Sequence, residues 1–557
     1  MANSLRANIA DQRLSYHGKQ KELAFDKDRI LEFNHRHHAV LGNYDLQLES
    51  CRIQTLSDRI NSKSNLGALR NRKVRQSVVL SAALSAIAVG LHGRGSLNDY
   101  PKESRTNDLS NNLKRANDRT AAQVMAEVLQ TTTDTLLVGE EVLIESRITE
   151  GVRIKPGLEA GGNPTIAVGA VFGKDEHRAL YGLRTPKSVT LLSMGNDVID
   201  GTGKSIKGTH SSLTALFLTE ANVKRHLPDI YVQRWLSGVA FEEFNPGETS
   251  CAEAAEIMSY AYNLSGVDQL SSYFLDRPRH YPAMDALNKI GVFTPFDKDG
   301  DLLPAVILGL EGLKFADGRG LHSMIGEIGG SAEWAVGVLP LVWRGGQAIG
   351  MLTSQSSLTR KDLGPEELWK ERFHFSEEEF MLITDARFER KPYFTIYDIV
   401  DDPFAGGISA FGAITDNYFV PFMDGVKGVP EKNTISVNVL VVNSLGMVEC
   451  WQMMFNCRQS LDHTLSLLIS PKEELEVISG SDLEKAVGRM LQNDRLRRRF
   501  QIFFNNEYYP VLIPVRDKMI LLHQAIEGLI ERGAFTDKDR EIIEVTERLT
   551  PDWFANS

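Results

Sequence analysis

The chain has 557 residues, 42% of them hydrophobic and 24% charged, with a net charge of −11. That is the composition of an ordinary globular protein, long enough for roughly three domain-sized units. The acidic balance argues against a nucleic-acid partner and fits a protein that gathers divalent cations around an anionic substrate. Four cysteines (Cys51, Cys251, Cys450 and Cys457) form no C-x-x-C pair and are too few for a disulfide framework, so a reducing, cytoplasmic setting is expected.

Residues 1–69 are polar and charged, and the opening Met1–Lys21 has no signal-peptide pattern. This stretch carries no strong strand signal. The spacing of Ile53, Leu56 and Ile60 predicts an amphipathic helix. Asn34-His35-Arg36-His37-His38 reads as a solvated surface rather than a metal site, because adjacent histidines splay around a helix and Arg36 repels a cation. The uncharged run Ser77–Gly90 has about 14 residues against the roughly 20 needed to cross a bilayer. It predicts a small-residue helix buried in a core, with no membrane partner.

From about 70 to 460 the chain is glycine-rich and alternates helices with short apolar strands. A helix is predicted at 121–129, a strand at 135–138, and further strands at 189–192 and 213–218. Elements at 302–310 and 335–343 each follow a Gly- or Asp-rich turn. The alternation argues for layered α and β elements, an α/β fold. Segments 96–113 and 142–188 read as insertions, and a second half of this region begins near 260. Residues 461–557 are predicted to be mostly helical. Ser481–Glu484 is a capping box ahead of an apolar stripe of Leu483, Val487, Met490 and Leu491, and a second helix at 517–532 stops at Gly533. The run Arg495–Arg499 is expected to be an exposed helix face.

The most informative stretch is Asp197-Val198-Ile199-Asp200-Gly201-Thr202. Two carboxylates three residues apart around a glycine turn, at the end of an apolar strand, can face one point. Hard cations such as Mg²⁺ take a few carboxylates plus phosphate oxygens. Gly201 lets the backbone approach a phosphate, and Thr202 offers a hydroxyl to orient a water. A capped turn satisfies the same pattern. Gly139-Glu140-Glu141, after the strand predicted at 135–138, offers a further carboxylate at a strand end. Asp118, four residues after Lys114, opens a predicted helix, where an N-cap is the simpler account. Two look-alikes fail. The first glycine of a P-loop ending at Lys204-Ser205 falls on Val198, and the glycine and glutamate of a calcium loop starting at Asp297 fall on Leu302 and Leu308.

In this order, K-x-x-x-D, G-E-E and D-x-I-D-G-T resemble the metal-dependent, lithium-sensitive phosphatase superfamily of inositol monophosphatases and fructose bisphosphatases. Downstream, Leu227–Tyr231 (LPDIY), Asp276–His280 (DRPRH), Lys298–Asp301 (KDGD) and Ile328–Glu333 (IGGSAE) are similar to segments of the class II fructose-1,6-bisphosphatases, in family order within about 70–460. Ser77–Gly95 resembles that family's first helix.

The resemblance implies an α-β-α-β-α sandwich with mainly helical additions at 1–69 and 461–557. It also implies a homo-oligomer and two or more Mg²⁺ or Mn²⁺ ions per site. Carried over by position, Asp118, Glu140, Asp197, Asp200 and Glu333 would ligate metal. Glu140 and Thr202 would activate water, and Lys114 would add positive charge. Asp200, Gly201, Thr202 and Gly330 would surround the scissile phosphate. Tyr231, Arg277, Pro278 and Arg279, with Asp299, Gly300 and Asp301, would hold the sugar and its second phosphate. Two arginines flanking a proline do give a rigid fork suited to phosphate oxygens.

The implied reaction is hydrolysis of fructose 1,6-bisphosphate to fructose 6-phosphate and phosphate, in gluconeogenic or Calvin-type metabolism, with sedoheptulose 1,7-bisphosphate as a further substrate. The alternatives are a same-fold phosphatase for inositol or nucleotide phosphates and an inactive regulatory homologue. Five retained carboxylates speak against the last, and the residues after 270 favour a bisphosphate. Two departures stand out: Val198 replaces the usual proline, and Asp200 stands where the class II enzymes usually have Glu.

Overall fold

The computed structural model describes residues 13–470 apart from 20, 64, 151–163, 167–169, 175–188, 223–230 and 353–392, together with 475–476 and 513–514. The strands that position the site are β1 (Lys21–Ala24), β2 (Leu46–Ser57), β3 (Val142–Thr149), β4 (Val171–Phe172), β5 (Thr190–Asp200), β6 (Leu213–Thr219), β7 (Tyr231–Ser237), β8 (Ser323–Gly330), β9 (Gln347–Leu352), β10 (Phe394–Thr395), β11 (Gly407–Ala413), β12 (Lys427–Val429), β13 (Thr434–Asn443) and β14 (Val448–Cys457). The helices are α1 (Lys27–Arg36), α2 (Arg72–His92), α3 (Asn107–Asp134), α4 (Thr202–Lys207), α5 (Cys251–Ala261), α6 (Tyr281–Lys289), α7 (Leu302–Ile307), α8 (Ser331–Trp343) and α9 (Leu461–Ile469).

A ten-stranded sheet runs β1-β2-β14-β13-β11-β6-β5-β3-β4, with β12 paired to β13. Its β3–β5 pair is parallel and the remaining pairs are antiparallel, so the sheet is mixed and the fold is α/β. A second sheet runs β8-β7-β9-β10.

Three apolar cores join these parts. The first lies between α2, α3 and the large sheet. The second surrounds α7 and α8, which pack on strands of both sheets. The third lies where the small sheet meets α5 and α6.

Helix α2 starts at Asn71, whose side chain accepts the Lys73 N–H, and ends where the Gly93 N–H bonds back to Val89. It is long and apolar enough to cross a membrane, yet it is buried inside the protein, as the small-residue reading predicts. Small residues permit that burial. At Gly412 of β11 there is no room for a Cβ against the Ala82 carbonyl, and Ser85 Oγ donates to Ala121 O of α3 at 3.1 Å. Each fully buried Val, Leu or Ile here contributes about 1.5–3 kcal/mol relative to exposure.

Several sequence expectations are corrected. Residues 46–57 form a strand, not an amphipathic helix, and β2 pairs antiparallel with β14. The register shifts at Glu49 and Leu56. The irregularity at Leu56 lets Ile53 and Leu56, three residues apart, both be buried, whereas Ile60 is exposed beyond the strand. The N-terminal segment therefore contributes two strands to the large sheet and a short strand, Ser15–Tyr16, paired with Leu313–Lys314, as well as α1 and a short helix at His38–Asn43.

His37 is buried beside Phe33 rather than solvated. Thr135–Val138 is not a strand: α3 continues to Asp134, and Leu137 and Val138 are exposed in a turn. The helices predicted at 481 and 517–532, the arginine run at 495–499 and most of 142–188 lie outside the described residues.

Candidate active site

Strand β5 is the axis of the site. Its last residues, Asp197 and Asp200, are buried, and the chain turns at Gly201 with φ 77° before entering α4. Only glycine adopts that left-handed conformation without strain. Asp118 comes from the middle of α3, is 1% exposed, and accepts a 3.3 Å hydrogen bond from Thr202 Oγ1. It is not an N-cap: α3 begins eleven residues earlier, capped by Thr106.

Asp200 accepts the Leu302 N–H at 3.2 Å, which docks the start of α7 on the end of β5. Gly300, with φ 77°, lies against it; a Cβ there would meet Ser211 O at 3.1 Å and Asp200 Oδ2 at 3.5 Å. Glu333 stands in the first turn of α8 and accepts the Gly330 N–H at 2.5 Å.

Burial and mutual repulsion set the electrostatics of this group. Burial drives the carboxyls of Asp118, Asp197 and Asp200 well above the usual carboxylate range. For Asp197 the next contributions are repulsion from Glu150, Asp200, Glu333 and Asp118. For Asp200 they are Asp301, Glu333 and Asp299, opposed by Lys204. Lys114 pulls Asp118 the other way.

Among the described residues no three such side chains close on a single ion-sized position. Asp118 Oδ2 is buried with no hydrogen-bond partner. An all-oxygen, mutually repelling set with an orphaned buried oxygen fits hard divalent cations that also hold water and phosphate oxygens.

Glu140 lies away from these carboxylates, which corrects the sequence assignment. β3 runs parallel to β5, with Val142 opposite Thr190 and Thr149 opposite Asn196. Glu140 therefore precedes the far end of β3, a strand length of about 25 Å from the Asp197 end. There its carboxylate accepts the Leu137 N–H at 3.3 Å. The residue at the right end is Glu150, whose N–H donates to Asn196 O at 3.1 Å and whose charge is the leading repulsion on Asp197. Once β3 is recognised as a strand parallel to β5, Thr149-Glu150-Gly151 is the carboxylate-plus-glycine signal at its C-terminal end.

The remaining residues come from the segments that follow. Tyr231 opens β7 opposite Gly330, and the Arg279 guanidinium lies 4.9 Å over its ring. Arg279 also donates through Nε and Nη2 to Ile328 O at 3.1 and 2.9 Å. Pro278 opens a single 3₁₀ turn between Arg277 and His280. Arg277 reaches Asp299 at 3.3 Å, both part-exposed at the mouth. Gly203 brings Asp299 and Lys114 together at the start of α4. Lys204, dismissed with the P-loop look-alike, is buried beneath Gly201 and pairs with Asp297 at 2.6 Å. Asp301 faces inward and is bound by the buried Arg234.

Residues 181–445, a little under half of the chain, match the family described as bacterial fructose-1,6-bisphosphatase, glpX-encoded. That segment is similar to the class II fructose-1,6-bisphosphatases. It contains Asp197, Asp200, Thr202, Tyr231, Arg277, Arg279, the 299–301 turn, Gly330 and Glu333, whereas Lys114, Asp118 and Glu150 precede it.

Relatives named D-fructose 1,6-bisphosphatase class 2/sedoheptulose 1,7-bisphosphatase agree. The protein from a Synechocystis species is 22% identical over 200 residues, 36% of this chain and 56% of the relative. That from Microcystis aeruginosa is 22% identical over 178 residues, 32% and 49% respectively. A Synechococcus protein is 25% identical over 166 residues, 29% and 44%. The chain thus spans about half the length of the class II relatives it matches.

Proposed function

We propose that this chain is a divalent-cation-dependent phosphatase that takes fructose 1,6-bisphosphate to fructose 6-phosphate and phosphate, with sedoheptulose 1,7-bisphosphate as a second substrate. The observation that carries the reading is the convergence of buried Asp118, Asp197 and Asp200 at one end of β5, within a chain whose 181–445 segment is of the class II type.

In this reading Asp118, Glu150, Asp197, Asp200 and Glu333 hold Mg²⁺ or Mn²⁺, with Glu150 in the role expected of Glu140. Ions bound there would acidify a water and neutralise charge on the transferring phosphoryl group. Thr202 orients the attacking water, its hydroxyl oxygen standing 3.3 Å from Asp118 Oδ1. Gly201 lets the backbone lie close to the scissile phosphate, beside Gly330, and Lys114 adds positive charge from α3. Tyr231, Arg277, Pro278 and Arg279 form the remote-phosphate arm, and the Asp299–Asp301 turn faces the sugar.

The three cores support an α-β-α-β-α layering. We read 70–460 as the phosphatase domain, with β1 and β2 lent to its sheet by the segment before 70, 461–557 as an addition, and the assembly as a homo-oligomer.

The test is phosphate release by the purified protein from a sugar-phosphate panel, with Mg²⁺, Mn²⁺ or excess chelator. Release from the bisphosphates in metal supports the reading. Release that persists in chelator, or that is confined to inositol phosphates, removes it.

A further inference from the structure

Behind the site lies a cluster of four ionisable side chains that the chemistry above does not use directly. Arg234 in β7, Glu327 in β8 and His280 are completely buried, and Asp301 almost so. Arg234 donates through Nε to Glu327 Oε2 and through Nη2 to Asp301 Oδ2. Gly329 passes so close that a Cβ there would collide with the Arg234 guanidinium and the Asp301 carboxylate.

His280 bonds Leu275 O through Nδ1 at 2.7 Å and accepts the Ile328 N–H on Nε2 at 2.9 Å. These contacts require the neutral Nδ1–H tautomer. Its neighbour Arg279 takes the Ile328 carbonyl. Ile328 is thereby gripped at both its N–H and its C=O by the arm that carries Arg277 and Arg279.

Both contacts of Arg234 lead to substrate-holding segments. Asp301 ends the 299–301 turn, and Glu327 immediately precedes the Ile328 anchor. We propose that Arg234 is a positioning residue for the bisphosphate: its planar fork sets the spacing between the sugar-facing turn and the remote-phosphate arm. The proposal rests on the sugar-bisphosphate reading above.

A guanidinium suits the task because its donors are fixed in one plane, whereas a lysine ammonium is a single point on a flexible stem. Stability alone is a poor account of the cluster, since apolar side chains of similar volume often replace buried ion pairs without loss.

The test compares the full-length wild type with Arg234→Lys and, separately, Glu327→Gln. Phosphate release from fructose 1,6-bisphosphate and from fructose 1-phosphate is measured in Mg²⁺, with kcat and KM for each and a melting curve for every variant. In folded Arg234→Lys the bisphosphate-over-monophosphate ratio of kcat/KM should fall about tenfold or more, chiefly through a higher KM for the bisphosphate. Glu327→Gln should shift the ratio the same way by less.

An unchanged ratio in folded Arg234→Lys, with full activity or with equal loss on both substrates, makes the cluster merely structural and overturns the proposal. Should Arg234→Lys not fold, Glu327→Gln decides by the same ratio. A wild type that shows no preference for the bisphosphate overturns the underlying reading and this proposal together.

Discussion

The Thr202 hydroxyl lies 3.3 Å from Asp118 Oδ1 across 84 residues of sequence, and 3.0 Å from Ile199 O. The contact with Asp118 joins the turn after β5 to the middle of α3, and with it a residue inside the segment that matches the class II family to one outside it. It places a hydroxyl beside a buried carboxylate at the end of β5.

Removing the cations should stop the reaction and restoring them should recover it. Asp197 is repelled by four other carboxylates, so Asp197→Asn relieves repulsion while deleting a ligand. We expect that variant to lose nearly all turnover and yet melt, in chelator, at or above the wild-type temperature. A chelated Asp197→Asn protein that unfolds well below wild type would contradict the charge argument.

The two glutamates at opposite ends of β3 give a direct comparison. Glu150→Gln should lower kcat by about a hundredfold or more, in the range of a lost ligand or electrostatic group. Glu140→Gln should stay within about threefold of wild type, since its carboxylate is engaged with the Leu137 N–H at the distant end. Steady-state phosphate release on both variants checks this, and the reverse order would return Glu140 to the site.

Arg279→Ala removes both the stack on Tyr231 and the two bonds to Ile328. A charge-assisted contact contributes about 1.5–3 kcal/mol, or roughly ten- to a hundredfold in kcat/KM. The loss should fall mainly on the bisphosphate, with monophosphates much less affected. Equal loss on both kinds of substrate would mean that Arg279 serves the fold rather than the remote phosphate.

Acid should weaken the first core through His37. Burial lowers its pKa to about 4 from the ordinary 6.5. Its Nε2 donates to Gln76 Oε1 at 3.1 Å, and its Nδ1 is buried without a partner. A second proton would therefore enter an apolar setting. The unfolded chain takes up that proton below pH 6.5 and the folded protein does not until about pH 4. Stability that is full above 6.5 is lost as pH falls across this window, by an amount on the order of 3 kcal/mol at its lower end. His37→Phe keeps the ring and leaves Gln76 Oε1 to Arg36 Nη1 at 2.8 Å. It should reduce the slope of the melting-temperature profile between pH 6.5 and 4, to which the buried His322 and His280 also contribute, and an unaltered slope would rule out His37 as a cause.

Sequence by itself determined the features whose chemistry is local. Asp197–Thr202 is legible because two carboxylates, a glycine with positive φ and a hydroxyl complete one strand-to-helix turn without help from elsewhere. The buried helix at Ser77–Gly90 and the turn at Lys298–Asp301 are legible for the same reason.

What only the tertiary structure decided depends on pairing across long separations. Glu140 and Glu150 are equally acidic and flank the same strand; the parallel register with β5 alone makes one distant and the other adjacent. Leu46–Ser57 is a strand because β14, some 400 residues onward, offers it a partner and absorbs two register shifts. Arg234 reads in sequence as one charge within an apolar strand. Only the arrival of Asp301 and Glu327 on either side of its guanidinium explains how that charge is buried.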